Sequence, residues 1–265
     1  AMNAMRFSTT LISKWANTFA DLWEEGNMWD MLVKQHLWPS GMYDKVKGKG
    51  YASLPTSNHD FNRPASALRA TVDQEKVYMT FFFTMPGVPF VYYGDEIGLK
   101  YIKGTPAVEG GGNRCGTRIP MLWDSTKNAG FSTAATENLY LPQDPDPNRR
   151  TVESEEADPN SLLNYIRGIL DLRKEYKALG ADADWTLVSG LEQPYPMVYS
   201  REIGGEKCLV VLNPTAKKVS VDIPYQGGKA ELVGGSYKTS TYKTVKGTDK
   251  ITLSGVSSAI YKICK

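Results

Sequence analysis

The sequence predicts an α/β domain followed by an all-β domain, and two changes of pattern along the chain carry this prediction. Strand, helix and strand patterns alternate between residues 52 and 93, which is typical of parallel strands joined by a crossover helix, as in a (β/α) barrel. From Trp185 onward, short alternating segments separated by turn residues predict a small antiparallel β-sandwich. We therefore expect a barrel-type domain over residues 1–180 and a C-terminal β-sandwich domain over residues 181–265.

The elements of the first half follow from hydrophobic periodicity and helix-capping signals. They are a short strand at 5–9, a Trp-rich segment with helical spacing at 12–37, a buried strand at 52–56, a helix with Asp73 as N-cap that runs to about residue 84, and a strand at 90–93.

The second half begins with an unusually long loop. Residues 100–157 are rich in Gly, Pro, Asn and Asp and show little periodicity, and long ordered loops in enzymes often bind substrate. Asp158 and Pro159 then predict the start of an amphipathic helix, which Gly180 ends. The sandwich strands are predicted at 197–199, 208–212, 219–223, 231–233, 251–253 and 259–263.

Composition describes an ordinary globular protein. Of its 265 residues 41% are hydrophobic and 23% charged, and the formal net charge is +2 with no basic stripe, which excludes an electrostatic nucleic-acid footprint. No apolar run is long enough to span a bilayer, and the N-terminus has no signal-peptide pattern. Three widely spaced cysteines indicate neither a disulfide framework nor a zinc site. We expect no metal, nucleic-acid partner or membrane association, and localisation stays unknown.

The most informative stretch is Leu-Pro-Thr-Ser-Asn-His-Asp-Phe-Asn-Arg at 54–63. It follows a predicted strand, where a turn can direct His59, Asp60 and Arg63 into one pocket. The competing interpretation is a polar turn in which Asp60 caps the next segment and Arg63 pairs with it.

Three further motifs follow in order: Met-Pro-Gly-Val-Pro-Phe-Val-Tyr-Tyr-Gly-Asp-Glu-Ile-Gly-Leu at 85–99, Arg-Ile-Pro-Met-Leu-Trp-Asp at 118–124 with Asn-Ala-Gly-Phe-Ser at 128–132, and Asp-Pro-Asn-Ser-Leu-Leu-Asn-Tyr at 158–165. Together with the first stretch, they resemble the C-terminal part of glycoside hydrolase family 13, the α-amylase and α-glucosidase family, and its oligo-1,6-glucosidase-like branch in particular. The resemblance implies the last three βα units of an eight-stranded TIM barrel, a partial (β/α)8 barrel, followed by the sandwich. The family's inserted loop domain, which often carries calcium, has no counterpart here, so we expect no cofactor.

The resemblance also implies roles for individual residues. Family members are retaining enzymes, which need a nucleophile and a general acid/base, and the family patterns for these two carboxylates do not occur in this sequence. Asp60 matches the third family carboxylate, which holds sugar hydroxyls and favours the oxocarbenium-like transition state. His59 matches a neighbouring hydroxyl donor, and Arg63 an arginine of the same subsite.

Other candidate substrate-binding residues keep two interpretations. Asp95 and Glu96 belong either to a helix cap and a solvated turn or to the pocket floor. Arg118 lies either at the rim of the pocket or in an ion pair with Asp124. Tyr92 is a sugar-stacking platform or a core residue.

Trp123 has the same two interpretations as Tyr92, and His36, which no motif surrounds, is predicted to be structural.

Two functional hypotheses follow. In the first, the chain acts on α-1,4 or α-1,6 glucans as a truncated member of the family, and an N-terminal barrel fragment on another polypeptide supplies the missing strands. In the second, it is a non-catalytic carbohydrate-binding or structural remnant. Because an open barrel face exposes apolar surface and an unpaired strand edge, the second hypothesis predicts a homo-oligomer.

Overall fold

The computed structural model describes residues 45–60, 62–66, 70–189 and 195–264. The predicted strand at 5–9 and the Trp-rich segment at 12–37, with His36, lie outside the described residues.

The first described unit is a parallel β–α–β arrangement. Strand β1 (Ser53–Pro55) pairs in parallel with β2 (Val88–Phe90), and helix α1 (Val72–Thr84) connects them. This agrees with the predicted alternation, although β2 begins and ends earlier than the predicted strand at 90–93. Helix α1 is aromatic-rich and buried along most of its length, so it forms part of the core rather than a surface layer.

The N-cap of α1 differs from the prediction. Thr71, with extended backbone, accepts the Gln74 amide at 3.2 Å through its hydroxyl, whereas Asp73 lies inside the first helical turn. An acidic residue there still favours the positive end of the helix dipole, which explains why Asp73 reads as a start signal.

The predicted loop at 100–157 is largely irregular, with a helix at its end. It contains three 3-10 turns, and helix α2 (Val152–Ala157) closes it with a capping box at Thr151, which the sequence analysis missed. The loop shares a small hydrophobic core with the residues just before it and with helix α3, which explains how so much irregular chain stays ordered. The buried members of this core are Ile97, Leu99, Ile119, Met121, Leu122, Ala129 and Leu163.

Helix α3 (Leu162–Glu175) starts later than predicted. Ser161 caps it by accepting the Asn164 amide at 3.1 Å, while Asp158 accepts the amide of Asn160 in a preceding turn. Helix α3 ends five residues before Gly180, and a 3-10 turn (Lys177–Leu179) fills the interval.

The C-terminal part consists of two antiparallel sheets, as predicted. One sheet has five strands in the order β3-β4-β5-β10-β7, and the other has three in the order β6-β9-β8. The strands are β3 (Asp184–Ser189), β4 (Met197–Ile203), β5 (Glu206–Asn213), β6 (Val219–Pro224), β7 (Lys229–Gly234), β8 (Ser240–Val245), β9 (Thr248–Leu253) and β10 (Ser257–Cys264). Strands β3 and β8 were not predicted.

The five-stranded sheet is covered on both faces. Val198, Leu209 and Val211 face the three-stranded sheet, whereas the alternate residues Tyr199 and Val210 pack with the helices α1 and α3. The helices before residue 180 therefore share a hydrophobic core with the sheet after it. Within the described segments, no helix has the length and apolar character needed to cross a bilayer.

Candidate functional site

The turn at Asn58, His59 and Asp60 follows β1 and is held from two sides. The Asn58 side chain accepts the amide of Asp60 at 2.8 Å. The carbonyl oxygen of His59 accepts two hydrogen bonds, each of 3.0 Å, from the Thr117 hydroxyl and from Nε of Arg118. The position of the Asp60 carboxylate thus depends on the 3-10 turn Gly112–Thr117 and the residue that follows it.

Three nitrogen-bearing side chains meet at one oxygen of Asp60. Arg114 and Arg118 each donate to Oδ1 at 3.1 Å, and Nε2 of His59 lies 3.5 Å from the same atom. Among the described residues, none donates to Oδ2. The side chain of Asp60 is 37% exposed. A carboxylate held through one oxygen can accept hydroxyl groups of a ligand with the other.

Behind this turn lies a buried ion pair between Arg63 and Asp95, both with 0% side-chain exposure. The Arg63 guanidinium donates to Oδ1 of Asp95 at 2.9 Å and to the carbonyl oxygens of Tyr93 at 2.6 Å and Thr117 at 2.8 Å. It also lies 4.6 Å from the centre of the Tyr92 ring. The alternative in which Arg63 pairs with Asp60 is therefore wrong.

Asp95 is further bonded by two hydroxyl groups at the end of β1. Thr56 and Ser57 donate to Oδ2 at 2.6 and 2.5 Å. Burial raises the pKa of Asp95 above its ordinary value, and the nearby Arg63 and the two hydroxyl groups oppose this effect. The ion pair joins the segment that follows the Asn58–Asp60 turn to the 3-10 turn Asp95–Ile97, and the two hydroxyl groups join the end of β1 to the same turn, so Arg63 and Asp95 position the site from inside the protein.

A cavity of about 380 Å³ adjoins the Asp60 cluster. Arg118 belongs to both, because its guanidinium contacts Asp60 and the residue also lines the cavity. Glu96 forms part of the wall; its Oε2 is buried without a partner among the described residues, and burial raises its pKa. The other lining residues are Tyr93, Ile119, Pro120, Met121, Trp123, Phe131, Tyr140 and Leu141.

Apart from Glu96 in the cavity wall, the predicted site residues fall into two groups. His59, Asp60 and Arg118 lie together at the surface. The Asp95, Arg63 and Tyr92 side chains form the layer beneath them, and burial raises the pKa of Tyr92.

The structure also decides between the two interpretations of Arg118 and of Trp123, which belong to the motif at 118–124. Arg118 pairs with Asp60 rather than Asp124, whose carboxylate accepts the amide and hydroxyl of Thr126, so the Arg118–Asp124 pairing is wrong. Trp123 is half-exposed in the cavity wall rather than a core residue.

Sequence reasoning missed Arg114, Phe131 and Tyr140. Arg114 lies in the 3-10 turn Gly112–Thr117, directly before Arg118, and this closeness to Arg118 in the sequence was the available signal. The two aromatic residues stand in a polar, glycine-rich loop with no core periodicity, which was the available signal for exposed aromatic side chains.

Comparison with known protein families gives one clear match. A model of the alpha-amylase family, described as the alpha amylase catalytic domain, matches residues 7–182. The chain is 28% identical over 213 residues to an oligo-1,6-glucosidase from Parageobacillus thermoglucosidasius, covering 68% of this chain and 37% of that protein. It is 36% identical over 138 residues to the trehalose synthase/amylase TreS of Mycobacterium tuberculosis (strain CDC 1551 / Oshkosh), covering 51% and 22% respectively.

Solved structures show the same fold. A crystal structure of a trehalulose synthase mutant in complex with Tris has a TM-score of 0.70 at 23% sequence identity, covering 84% of this chain and 45% of that one. A second mutant of that protein, from crystals soaked with trehalulose, has a TM-score of 0.71 at 22% identity and covers 93% and 47%. The chain spans less than half the length of these relatives.

Proposed function

Since the chain belongs to the alpha-amylase family, glycoside hydrolase family 13, we propose that it binds α-glucosidic oligosaccharides at Asp60, as the transition-state-holding wall of a retaining glycosidase site. The α-1,4 and α-1,6 linked glucans are the proposed substrate class. The chain is proposed to contribute the last three βα units of the barrel, of which the β1–α1–β2 unit is described.

The observation that supports this function is the asymmetric environment of Asp60. Arg114 and Arg118 orient the carboxylate through Oδ1, and Oδ2 stays available for ligand hydroxyl groups. His59 adjoins the same carboxylate and is largely exposed, so its imidazole can share in hydroxyl binding. Hydrogen bonds to a sugar that strengthen as positive charge develops at the anomeric carbon favour the transition state over the ground state.

Bond cleavage in this proposal needs two further carboxylates, which an N-terminal barrel segment supplies. A retaining pair stands about 5 to 5.5 Å apart. Asp95 is a poor substitute for either member, because its side chain is fully buried and bonded to Arg63, Thr56 and Ser57.

Calorimetric titration of the chain with maltotriose tests the proposal. We expect saturable binding that Asp60→Asn abolishes, because the neutral amide no longer pairs with two guanidinium groups and loses acceptor capacity. The matched control is Asp171→Asn, since Asp171 is an exposed carboxylate on α3 paired with one lysine. Equal affinity of wild type and Asp60→Asn would contradict the proposal.

The second candidate is a non-catalytic, self-associating carbohydrate-binding protein. Apolar side chains on and beside β2 favour it, because Val88, Phe90 and Val91 are 37%, 56% and 42% exposed. In this alternative the open barrel face joins two copies of the chain.

Light scattering at micromolar concentration distinguishes the candidates. The second candidate predicts a dimer or larger species that Phe90→Lys converts to monomer, and maltotriose binding without release of reducing sugar. A monomeric wild-type chain would exclude self-association.

A further inference from the structure

Strand β8 (Ser240–Val245) differs from the other edge strands of the described sheets. An edge strand presents a row of N–H and C=O groups that pairs readily with another chain, and natural proteins usually protect it with a proline, a bulge or a very short strand. Strands β1, β2 and β6 contain Pro55, Pro89 and Pro224, and the ladders of β3 and β7 are each interrupted by a register shift. Strand β8 contains no proline, and its ladder with β9 is unbroken.

The composition and exposure of β8 also favour pairing with a further strand. Its sequence is Ser-Thr-Tyr-Lys-Thr-Val, in which four of the six residues are β-branched or aromatic, the types that are enriched in strands. Most of its side chains are exposed, and Val245 at its end is 55% exposed. The strand therefore has the residues of a paired strand in the position of an edge.

The turn after β8 determines which of its residues bond to β9. Lys246 and Gly247 have φ angles of +51° and +78°, as in a two-residue type I′ hairpin turn. In such a hairpin the flanking residues, here Val245 and Thr248, form a hydrogen-bonded pair. Hydrogen-bonded pairs then recur at every second residue of an antiparallel ladder. The odd-numbered residues of β8 therefore bond to β9.

A hydrogen bond just before the strand agrees with this alternation, because the amide of Ser254 donates to the carbonyl oxygen of Thr239 at 3.0 Å. The even-numbered residues direct their N–H and C=O groups to the open side of the sheet, and they are Ser240, Tyr242 and Thr244. Within the described part of the chain, no group bonds to the backbone of these three residues on that side.

A second copy of the chain fits this edge in one antiparallel register. Centred on Tyr242, the register pairs Tyr242 with itself and Ser240 with Thr244 of the second copy, so all three outward residues exchange hydrogen bonds. Lys243 then lies opposite Thr241, which carries no charge. A register centred on Lys243 would place two lysines directly opposite each other, which is unfavourable, and would leave Ser240 unpaired.

We propose that β8 is a homodimerisation edge, at which two copies pair antiparallel about a two-fold axis at Tyr242 and join their three-stranded sheets into one continuous sheet. This interface is independent of sugar binding at Asp60. It also differs from the open barrel face, because β2 belongs to the separate β1–β2 sheet.

Amide hydrogen exchange, followed by NMR on the full chain, tests the edge directly. A contact between two short strands is small, so we expect a dissociation constant of about 50 μM. Raising the concentration from about 10 to about 500 μM should then slow exchange at Ser240, Tyr242 and Thr244 about fourfold. The amides of Thr241 and Lys243 should be protected at both concentrations, because they bond to β9.

Exchange at the three even-numbered positions that does not depend on concentration would overturn the proposal. If these amides stay unprotected, no partner pairs with the edge. If they are protected to the same extent at both concentrations, another part of the same chain covers it.

Sedimentation velocity of variants identifies the contact. Thr244→Pro removes an N–H that faces the open side and leaves the β9 ladder intact, so it should raise the dissociation constant at least about tenfold. Thr244→Val is the matched control, because it loses the same hydroxyl bond to Asp249 but keeps the amide, and it should dimerise as the wild type does. Phe90→Lys on the open barrel face should also leave the dimer unchanged. A monomeric wild-type chain, or a dimer that Phe90→Lys disrupts and Thr244→Pro does not, would refute pairing through β8.

Discussion

Replacing Asp95 by Asn removes one charge of the buried ion pair without changing the shape of the side chain. Arg63 then remains fully buried with its positive charge and without the carboxylate 2.9 Å away. Asn retains one acceptor oxygen for the hydroxyl groups of Thr56 and Ser57, so the loss is mainly electrostatic.

Removing one partner of a buried ion pair typically costs about 3–5 kcal/mol, because an uncompensated charge remains. Here the carbonyl oxygens of Tyr93 and Thr117 still accept from Arg63, and the Tyr92 ring lies against it, which places the expected loss near the lower end, about 3 kcal/mol. For a chain of this size that corresponds to a fall in melting temperature of roughly 6–12 °C.

Urea unfolding, followed by circular dichroism, measures this loss as a change in the free energy of unfolding. Asp60→Asn is the matched control, since the same substitution at an exposed cluster should cost no more than about 1 kcal/mol. A loss below about 1 kcal/mol for Asp95→Asn would refute the reasoning, because it would mean that the Arg63 charge is compensated elsewhere.

A double-mutant cycle measures the interaction energy between Arg63 and Asp95 separately from the other contacts of each residue. Arg63→Met removes the charge but leaves the carbonyl oxygens of Tyr93 and Thr117 without their donor. We expect the double variant Arg63→Met with Asp95→Asn to be about as stable as Arg63→Met alone, which gives a coupling of at least about 2 kcal/mol. Additive losses would contradict a direct interaction.

Three further predictions concern the cavity and the Asp60 cluster. Gly130→Ala should lower the free energy of unfolding by about 2–3 kcal/mol, because the backbone of Gly130 has a φ of +68° and the added Cβ would lie 2.5 Å from a carboxylate oxygen of Asp124. The control is Gly104→Ala, which should cost only about 1 kcal/mol, because Gly104 has a φ of +80° but open space around it. Burial holds the pKa of Glu96 above its ordinary value of 4.5, so the folded state binds more protons than the unfolded state between the two values and stability falls as pH rises through that window. Glu96→Gln should reduce the fall in stability between pH 4 and pH 7 in urea titrations, because the contribution of Glu96 is lost while that of Asp95 remains, whereas exposed Glu137→Gln should leave the fall unchanged. Arg114→Met should weaken maltotriose binding, measured by calorimetry, because Asp60 loses one of its two orienting guanidinium groups. The free energy of unfolding should stay within about 0.5 kcal/mol of wild type, and unchanged affinity would exclude a positioning role for Arg114.

Strands and helices with a strong hydrophobic pattern were predictable from the sequence. The central strands β4, β5 and β10 are apolar over most of their length, and the helix α3 carries an apolar stripe. Strand β8 was missed because its residues are mainly polar and exposed, so its pairing with β9 defines it rather than its own composition.

The predicted starts of helices α1 and α3 differ from the observed starts, because residue type alone does not identify the N-cap. Asp73 and Asp158 are plausible caps by residue type, but Thr71 and Ser161 are the residues whose hydroxyl groups reach the free amides. Capping depends on the backbone conformation of one residue, and several polar residues near a helix start satisfy the same composition rule.

The sequence by itself determined the family, the β–α–β unit, the strongly apolar sandwich strands and the turn that carries His59 and Asp60, because these depend on residues close together in the chain. Only the tertiary structure decided which carboxylate is structural and which is exposed. Arg63 pairs with Asp95, 32 residues away, while Arg114 and Arg118 reach Asp60 across 54 and 58 residues. Burial and charge pairing at such separations arise from the packing of β1, β2 and the long loop, and local periodicity carries no information about them.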